Sequence, residues 1–220
     1  MSILFVLLTF LIVISINYFH FRLPQAAGAK AQVVVRPRVP VMAKEAGFSI
    51  PQDYSFHPGH TWVARESGDN ARIGLDKFAA GLVGAIDRID VMEAGRWVRQ
   101  GQRLAAIHLG GVSFDLLSPV EGVVTAVNND ALRDPSLVTK DPYNNGWIAI
   151  VKSPDLTVNQ RNLIQGPMVA PWMQNNLSHL KSLIAPSPAL AQDGGVPVSG
   201  LLPRLTPELR QKVVQEFFLS

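Results

Sequence analysis

The sequence predicts a mainly-β domain with short helices, preceded by one transmembrane helix. Three observations carry this reading. Residues 2–19 hold no charged side chain. From Tyr54 onward, short apolar runs alternate with Gly, Asn and Asp at the spacing of strands and turns. After Pro154, apolar residues recur instead at the three- and four-residue steps of helices. With 220 residues, 47% of them hydrophobic and 17% charged, the chain can bury one core and keep appendages besides.

The uncharged run SILFVLLTFLIVISINYF, as a helix rising about 1.5 Å per residue, nearly crosses a hydrocarbon layer of about 30 Å. It defines a transmembrane anchor over residues 1–20. A cleaved signal peptide is the competing reading, favoured by the small residues Ala26-Ala27-Gly28-Ala29 but opposed by the missing basic n-region. Tyr18 and Phe19 fall where an interface belt belongs, and Arg22, Lys30, Arg36 and Arg38 follow with no acidic residue among them. The positive-inside rule then places the rest of the chain on the cytoplasmic side of an inner (cell) membrane crossed once. Residues 21–53, rich in Ala, Val and Pro, read as an extended linker, because proline breaks helix and ladder alike.

Residues 54–156 form the β domain. Trp62-Val63-Ala64-Arg65 and 71–75 flank the turn cluster Ser67-Gly68-Asp69-Asn70 and predict a hairpin. Asp76 then suits the N-cap of a helical turn reaching Leu82. Residues 84–91 alternate as a strand, and Trp97-Val98 form a short one between Gly95 and Gly101. The runs 104–109 and 112–117 are joined by Gly110-Gly111, the sequence of a two-residue type I′ or II′ turn. Ser118-Pro119-Val120-Glu121-Gly122 turns the chain into a strand at 123–127, and 147–152 is the last strand. A helical extension occupies 157–184, with Leu163, Ile164, Met168, Trp172, Met173, Leu177 and Leu180 in phase and Gly166-Pro167 interrupting. A Pro/Gly/Ala linker covers 185–203, and 204–220 is a short helix opened by Thr206 as N-cap and Pro207 at the first turn. Its apolar face, Leu209, Val213, Val214, Phe217 and Phe218, needs burial against the domain's own surface or against a partner.

Composition removes several function classes. The absence of cysteine excludes disulfides, thiol nucleophiles and thiolate-bound metals. A net charge of +3 spread without a basic run gives no nucleic-acid footprint. His57 and His60 are separated by Pro-Gly and suit a turn better than a zinc-binding helix. Ser113 lies in Gly-Val-Ser-Phe-Asp, which is no nucleophile elbow, and no base stands near it in sequence. Asp87, Asp90 and Glu93 read as a solvated face, Gly81-Leu82-Val83-Gly84 lacks the lysine of a phosphate loop, and Trp62, Trp97, Trp147 and Trp172 read as core or rim anchors. No catalytic residue, metal ligand set or bound cofactor emerges, and the expectation is a protein that is not an enzyme.

The order of these pieces resembles the H protein of the glycine cleavage system, a member of the lipoyl/biotinyl-carrier family. His60-Thr61-Trp62-Val63 is similar to the family's His-Glu-Trp-Val, and Arg72-Ile73-Gly74-Leu75 to its Val-Gly-Ile strand. Leu82-Val83-Gly84 resembles its Leu-Gly step, although Ala85 replaces the usual acid. Asp115-Leu116-Leu117-Ser118-Pro119-Val120-Glu121-Gly122 resembles its Asp-Leu-Tyr-Ser-Pro-Val-Ser-Gly, and Asp141-Pro142-Tyr143-Asn144-Asn145-Gly146-Trp147 its Asp-Pro-Tyr-Gly-Glu-Gly-Trp. The resemblance implies a flattened lipoyl-domain-like β-barrel, or barrel-sandwich hybrid, over residues 54–156. It also implies lipoate on the lysine of Glu-Ser-Val-Lys-Ala, seven residues before the Ser of Ser-Pro-Val. Counting back from Ser118 reaches Gly111, and His108-Leu109-Gly110-Gly111-Val112 replaces the whole motif. With no lysine between Lys77 and Lys140, the hairpin cannot carry lipoate. The expectation is therefore a docking or scaffold module that presents this hairpin to a protein partner, a glycine cleavage-type or other oxidoreductase complex, and meets the membrane through residues 2–19. Two alternatives stand beside it: a lipoyl carrier using a non-standard lysine, and an enzyme or sensor built around His108.

Overall fold

The computed structural model describes residues 40–45, 47–184 and 200–219. The span assigned to residues 2–19 and the linker residues 185–199 lie outside them. Among the described residues no helix is long and apolar enough to cross a membrane.

The described chain opens with an antiparallel pair, β1 (Met42–Glu45) and β2 (Phe48–Pro51), with Met42 opposite Pro51. This corrects the expectation of a linker over the whole of 21–53. Pro40 and Pro51 bracket the ladder without interrupting it, and Ile50 is buried.

Strands β3 (Ser55–Phe56), β4 (Thr61–Arg65) and β5 (Asn70–Leu75) follow. The predicted β4–β5 hairpin forms with Trp62 opposite Gly74. Gly74 is required there, because a Cβ would stand 2.6 Å from the Trp62 ring. Helix α1 (Lys77–Val83) is capped by Asp76, whose Oδ1 accepts from the Ala79 N–H at 2.8 Å. Next come β6 (Arg88–Val91), β7 (Trp97–Val98), β8 (Arg103–Leu109), β9 (Val112–Leu117) and β10 (Gly122–Val127). The turn-rich stretch to the last strand folds as two single-turn helices, α2 (Asn129–Arg133) and α3 (Ser136–Lys140), before β11 (Trp147–Lys152). All pairings are antiparallel, in a six-stranded sheet ordered β3-β4-β5-β11-β10-β7 and a three-stranded sheet ordered β6-β8-β9. The apolar residues facing inward from both sheets join one core.

The helical extension divides into α4 (Leu156–Arg161) and α5 (Val169–Ile184), separated by a 3₁₀ turn at Gly166–Met168. The C-terminal helix α6 (Pro207–Phe218) begins at Thr206, which accepts from the Leu209 N–H, with Pro207 in the first turn. Val213, Phe217 and Phe218 are buried in the same core as the strands, so the helix packs against its own domain. Phe218 stacks on Phe114 of β9 with ring centroids 3.9 Å apart. Leu201 and Leu202, assigned to the linker 185–203, are also buried. That correction has a local cause: Gly200 seats on α1, donating its N–H to the Gly81 carbonyl at 2.8 Å. Gly84 has φ +71°, and a Cβ on it would overlap the Gly200 backbone. The Gly81–Gly84 pair is thus the landing site of the returning chain.

Two predictions follow from this packing. Phe218→Ala removes a wholly buried ring from between α6 and β9 and should cost about 3–5 kcal/mol in urea denaturation; a loss below about 0.5 kcal/mol would mean that α6 is an appendage. His57, in the loop between β3 and β4, accepts the Gly59 N–H on Nδ1 at 3.0 Å. Burial, then the neighbouring His60, holds its pKa below the ordinary value. A depressed histidine pKa favours the neutral folded state, so stability is intact above about pH 6.5 and declines as pH falls through the folded-state pKa. His57→Asn keeps an acceptor for Gly59 and removes the proton. Its stability should fall less steeply below about pH 6.5 than that of the parent chain, measured by urea midpoints.

Candidate functional site

The hairpin β8–β9 turns at Gly110-Gly111, with Leu109 opposite Val112. Both glycines have positive φ, +51° and +77°, as the two central residues of a type I′ turn require. Asp87, just before β6, accepts the Gly110 N–H at 2.7 Å and fixes the apex against the neighbouring strand. Ala105, Ile107, Leu109, Phe114 and Leu116 point into the core, which turns His108 and Ser113 to the outer face.

On that face the β6–β8 register sets Arg88 opposite His108, and Asp90 lies two residues along. Asp90 Oδ2 receives Arg88 Nη2 at 3.0 Å and His108 Nε2 at 2.9 Å. Since an ionised carboxylate only accepts, Nε2 carries the proton. In sequence, Asp87 and Asp90 read as a solvated face unconnected with His108. The sheet corrects this by bringing both aspartates to the hairpin across 18 and 23 positions of chain. Ser113 pairs with His108 on the other side, so a base does stand opposite it. Arg88, His108 and Ser113 form a row on the outer face of the sheet with Asp90 beside it, where an exposed ion pair stabilises by only about 0–1 kcal/mol. Such a row offers charge and hydrogen bonds to a partner surface.

At the apex itself, a Cβ built on Gly110 or Gly111 meets nothing within 4 Å. There is room for a side chain but no amine. Lys77, the last lysine before the hairpin, is part-buried on α1, with Nζ 3.4 Å from the Thr139 carbonyl. The residues of the hairpin therefore do not fit covalent attachment of lipoate.

The other candidates are structural. His60 is fully buried and pairs with Asp76 at 2.7 Å. His57 faces Gly59 within its own turn. Among the described residues no three His, Asp or Glu side chains group as a metal site. Trp62 is wholly buried and donates to the Leu75 carbonyl at 3.0 Å, Trp147 and Trp172 pack against the core, and Trp97 is 50% exposed. Sequence reasoning also missed a buried cation. Arg72 sits over the Trp62 ring, with Nε 2.9 Å from Glu66 and Nη2 donating to the Tyr54 hydroxyl at 3.2 Å. Burial raises the Tyr54 pKa against the pull of Arg72, and burial raises that of Tyr143 further. These groups knit β4, β5 and the segment before β11 together.

A family model described as glycine cleavage H-protein matches residues 54–175. The glycine cleavage system H protein of Mycobacterium avium is 35% identical over 106 residues, 48% of this chain and 80% of that protein. That of Endomicrobium trichonymphae is 31% identical, covering 49% of this chain and 86% of the relative. A crystal structure of a glycine cleavage system H protein from Mycobacterium marinum shares 27% identity over 48% of this chain and 87% of its own, with a TM-score of 0.45. With more than half of its length matched by the family model, this chain belongs to the glycine cleavage H-protein family.

Proposed function

We propose that this chain is a membrane-tethered member of the H-protein family that works without lipoate, as a non-enzymatic docking module. The observation that carries the reading is the hairpin apex. Attachment of lipoate needs an exposed primary amine free to move between partner active sites, and Gly110-Gly111 offers none. What the hairpin presents instead is a rigid turn flanked by His108, Asp90 and Arg88. Its partner is a protein of a glycine cleavage-type or other oxidoreductase complex. The uncharged residues 2–19 are the tether, and the domain lies on the cytoplasmic side of the inner membrane. Confinement to a membrane raises the effective concentration of partners held there, which serves a docking module.

The intact mass of the chain purified from its native host tests this directly. The expected result is the full-length mass with no addition. A lipoyl increment would mean that another lysine has taken over and would overturn the proposal; a shortened N-terminus would remove the tether alone. Gly111→Lys should fold, at a cost of about 1–2 kcal/mol for a side chain at φ +77°. With open space around the apex it should gain the lipoyl mass in a lipoylating host, read by the same measurement.

A further inference from the structure

We infer that the loop around β7 is a second attachment surface, one that seats the domain on an anionic lipid headgroup layer. The inference rests on the membrane tether proposed above. Trp97 is 50% exposed, on the outermost strand of the six-stranded sheet. Val98 is fully buried, so the alternation of the strand turns Trp97 and Arg99 to the same side. Trp97, Arg99, Gln100, Gly101 and Gln102 line one open depression of about 540 Å³. The turn that follows is held by the Gln102 N–H donating to the Arg99 carbonyl at 3.0 Å and by Gln102 Oε1 accepting the Arg99 N–H at 3.0 Å. Arg96 and Arg103, both exposed, flank it. Between Glu93 and Asp115 the chain has three arginines and no acidic residue, and Asp115 stands 3.9 Å from Arg103.

An exposed indole among arginines is the composition of a membrane-interface contact: the ring sits at headgroup depth and the guanidinium groups meet phosphates. The loop is not mobile bait, because the Gln100 side chain pins it to the Pro119 carbonyl at 2.9 Å and the Asn159 carbonyl at 3.0 Å. Geometry permits the contact. Residues 20–41, which link the uncharged run to β1, extend at most about 80 Å. Any face of the domain can therefore reach the bilayer it is tethered to. Each arginine close to an anionic leaflet strengthens attachment about fivefold.

The test is bromine quenching of tryptophan fluorescence, with the full chain reconstituted into vesicles of brominated phosphatidylcholine, alone or mixed with brominated phosphatidylglycerol. The contribution of Trp97 is the difference between the parent chain and Trp97→Phe. The expected result is quenching of Trp97 in the phosphatidylglycerol vesicles only, abolished by high salt and by the triple variant Arg96→Gln, Arg99→Gln, Arg103→Gln. Circular dichroism of the triple variant checks its fold. A chain that floats with the vesicles while Trp97 stays unquenched in both overturns this inference and leaves the tether standing. Shielding of Trp97 by an added protein, with no lipid quenching, would assign the surface to that protein and also overturn it. A chain that does not float at all removes the tether and this inference together.

Discussion

The buried pair His60 and Asp76 is the interaction on which the rest of the domain converges. Nδ1 of His60 donates to Asp76 Oδ2 at 2.7 Å, while Asp76 Oδ1 caps α1 and its backbone N–H donates to the His60 carbonyl at 3.0 Å. One carboxylate thus closes the β4–β5 hairpin and starts the helix that follows. His60 accepts a left-handed backbone to do so, with φ +62°, a conformation costing about 1–2 kcal/mol in a residue with a Cβ. Its ring lies between Phe78 of α1 and Trp172 of α5, with centroids 4.6 and 5.0 Å away, and Phe217 of α6 stands at 5.9 Å. Three helices distant in sequence therefore meet on one imidazole. Its Nε2 finds no hydrogen-bond partner among the described residues, a cost the surrounding aromatic contacts offset.

That convergence changes what counts as the domain. The family match ends at residue 175, yet Leu201, Leu202, Val213, Phe217 and Phe218 belong to the same core. The returning chain closes over α1 through the Gly84 and Gly200 contact, and α6 then lies against β9 through Phe218 and Phe114. Phe114 is on the inner face of the hairpin strand whose outer face carries Ser113. The C-terminal helix thus buttresses the hairpin strand β9 from behind.

A rigid, amine-free hairpin is a different instrument from a swinging arm. Carriage depends on a long flexible tether that visits several sites, whereas docking depends on a surface whose shape is fixed before binding. The type I′ turn, the Asp87 contact to Gly110 and the Asp90 contact to His108 fix the shape of the hairpin, which supports the proposed docking role. The exposed Trp97 lies on a different sheet from this hairpin, whereas Arg103 begins the hairpin strand β8.

Much of the fold was legible because its signals are local. The Gly110-Gly111 turn, the Asp76 and Thr206 caps, Pro207 in the first turn of α6 and the turn cluster at Ser67–Asn70 each encode their structure within a few residues. The same locality made the absence of a lysine from the hairpin readable in the sequence. Three features were not legible. Strands β1 and β2 were hidden by the prolines that bracket them; the aspartates beside His108 reach it only through the β6–β8 register; and α6 finds Phe114 a hundred residues back in the chain. By itself, the sequence determined which elements form and what chemistry the hairpin lacks, because backbone preference and side-chain identity act over short range. Only the tertiary structure decided which side chains meet, because pairing register and burial are set by the packing of the whole core at once.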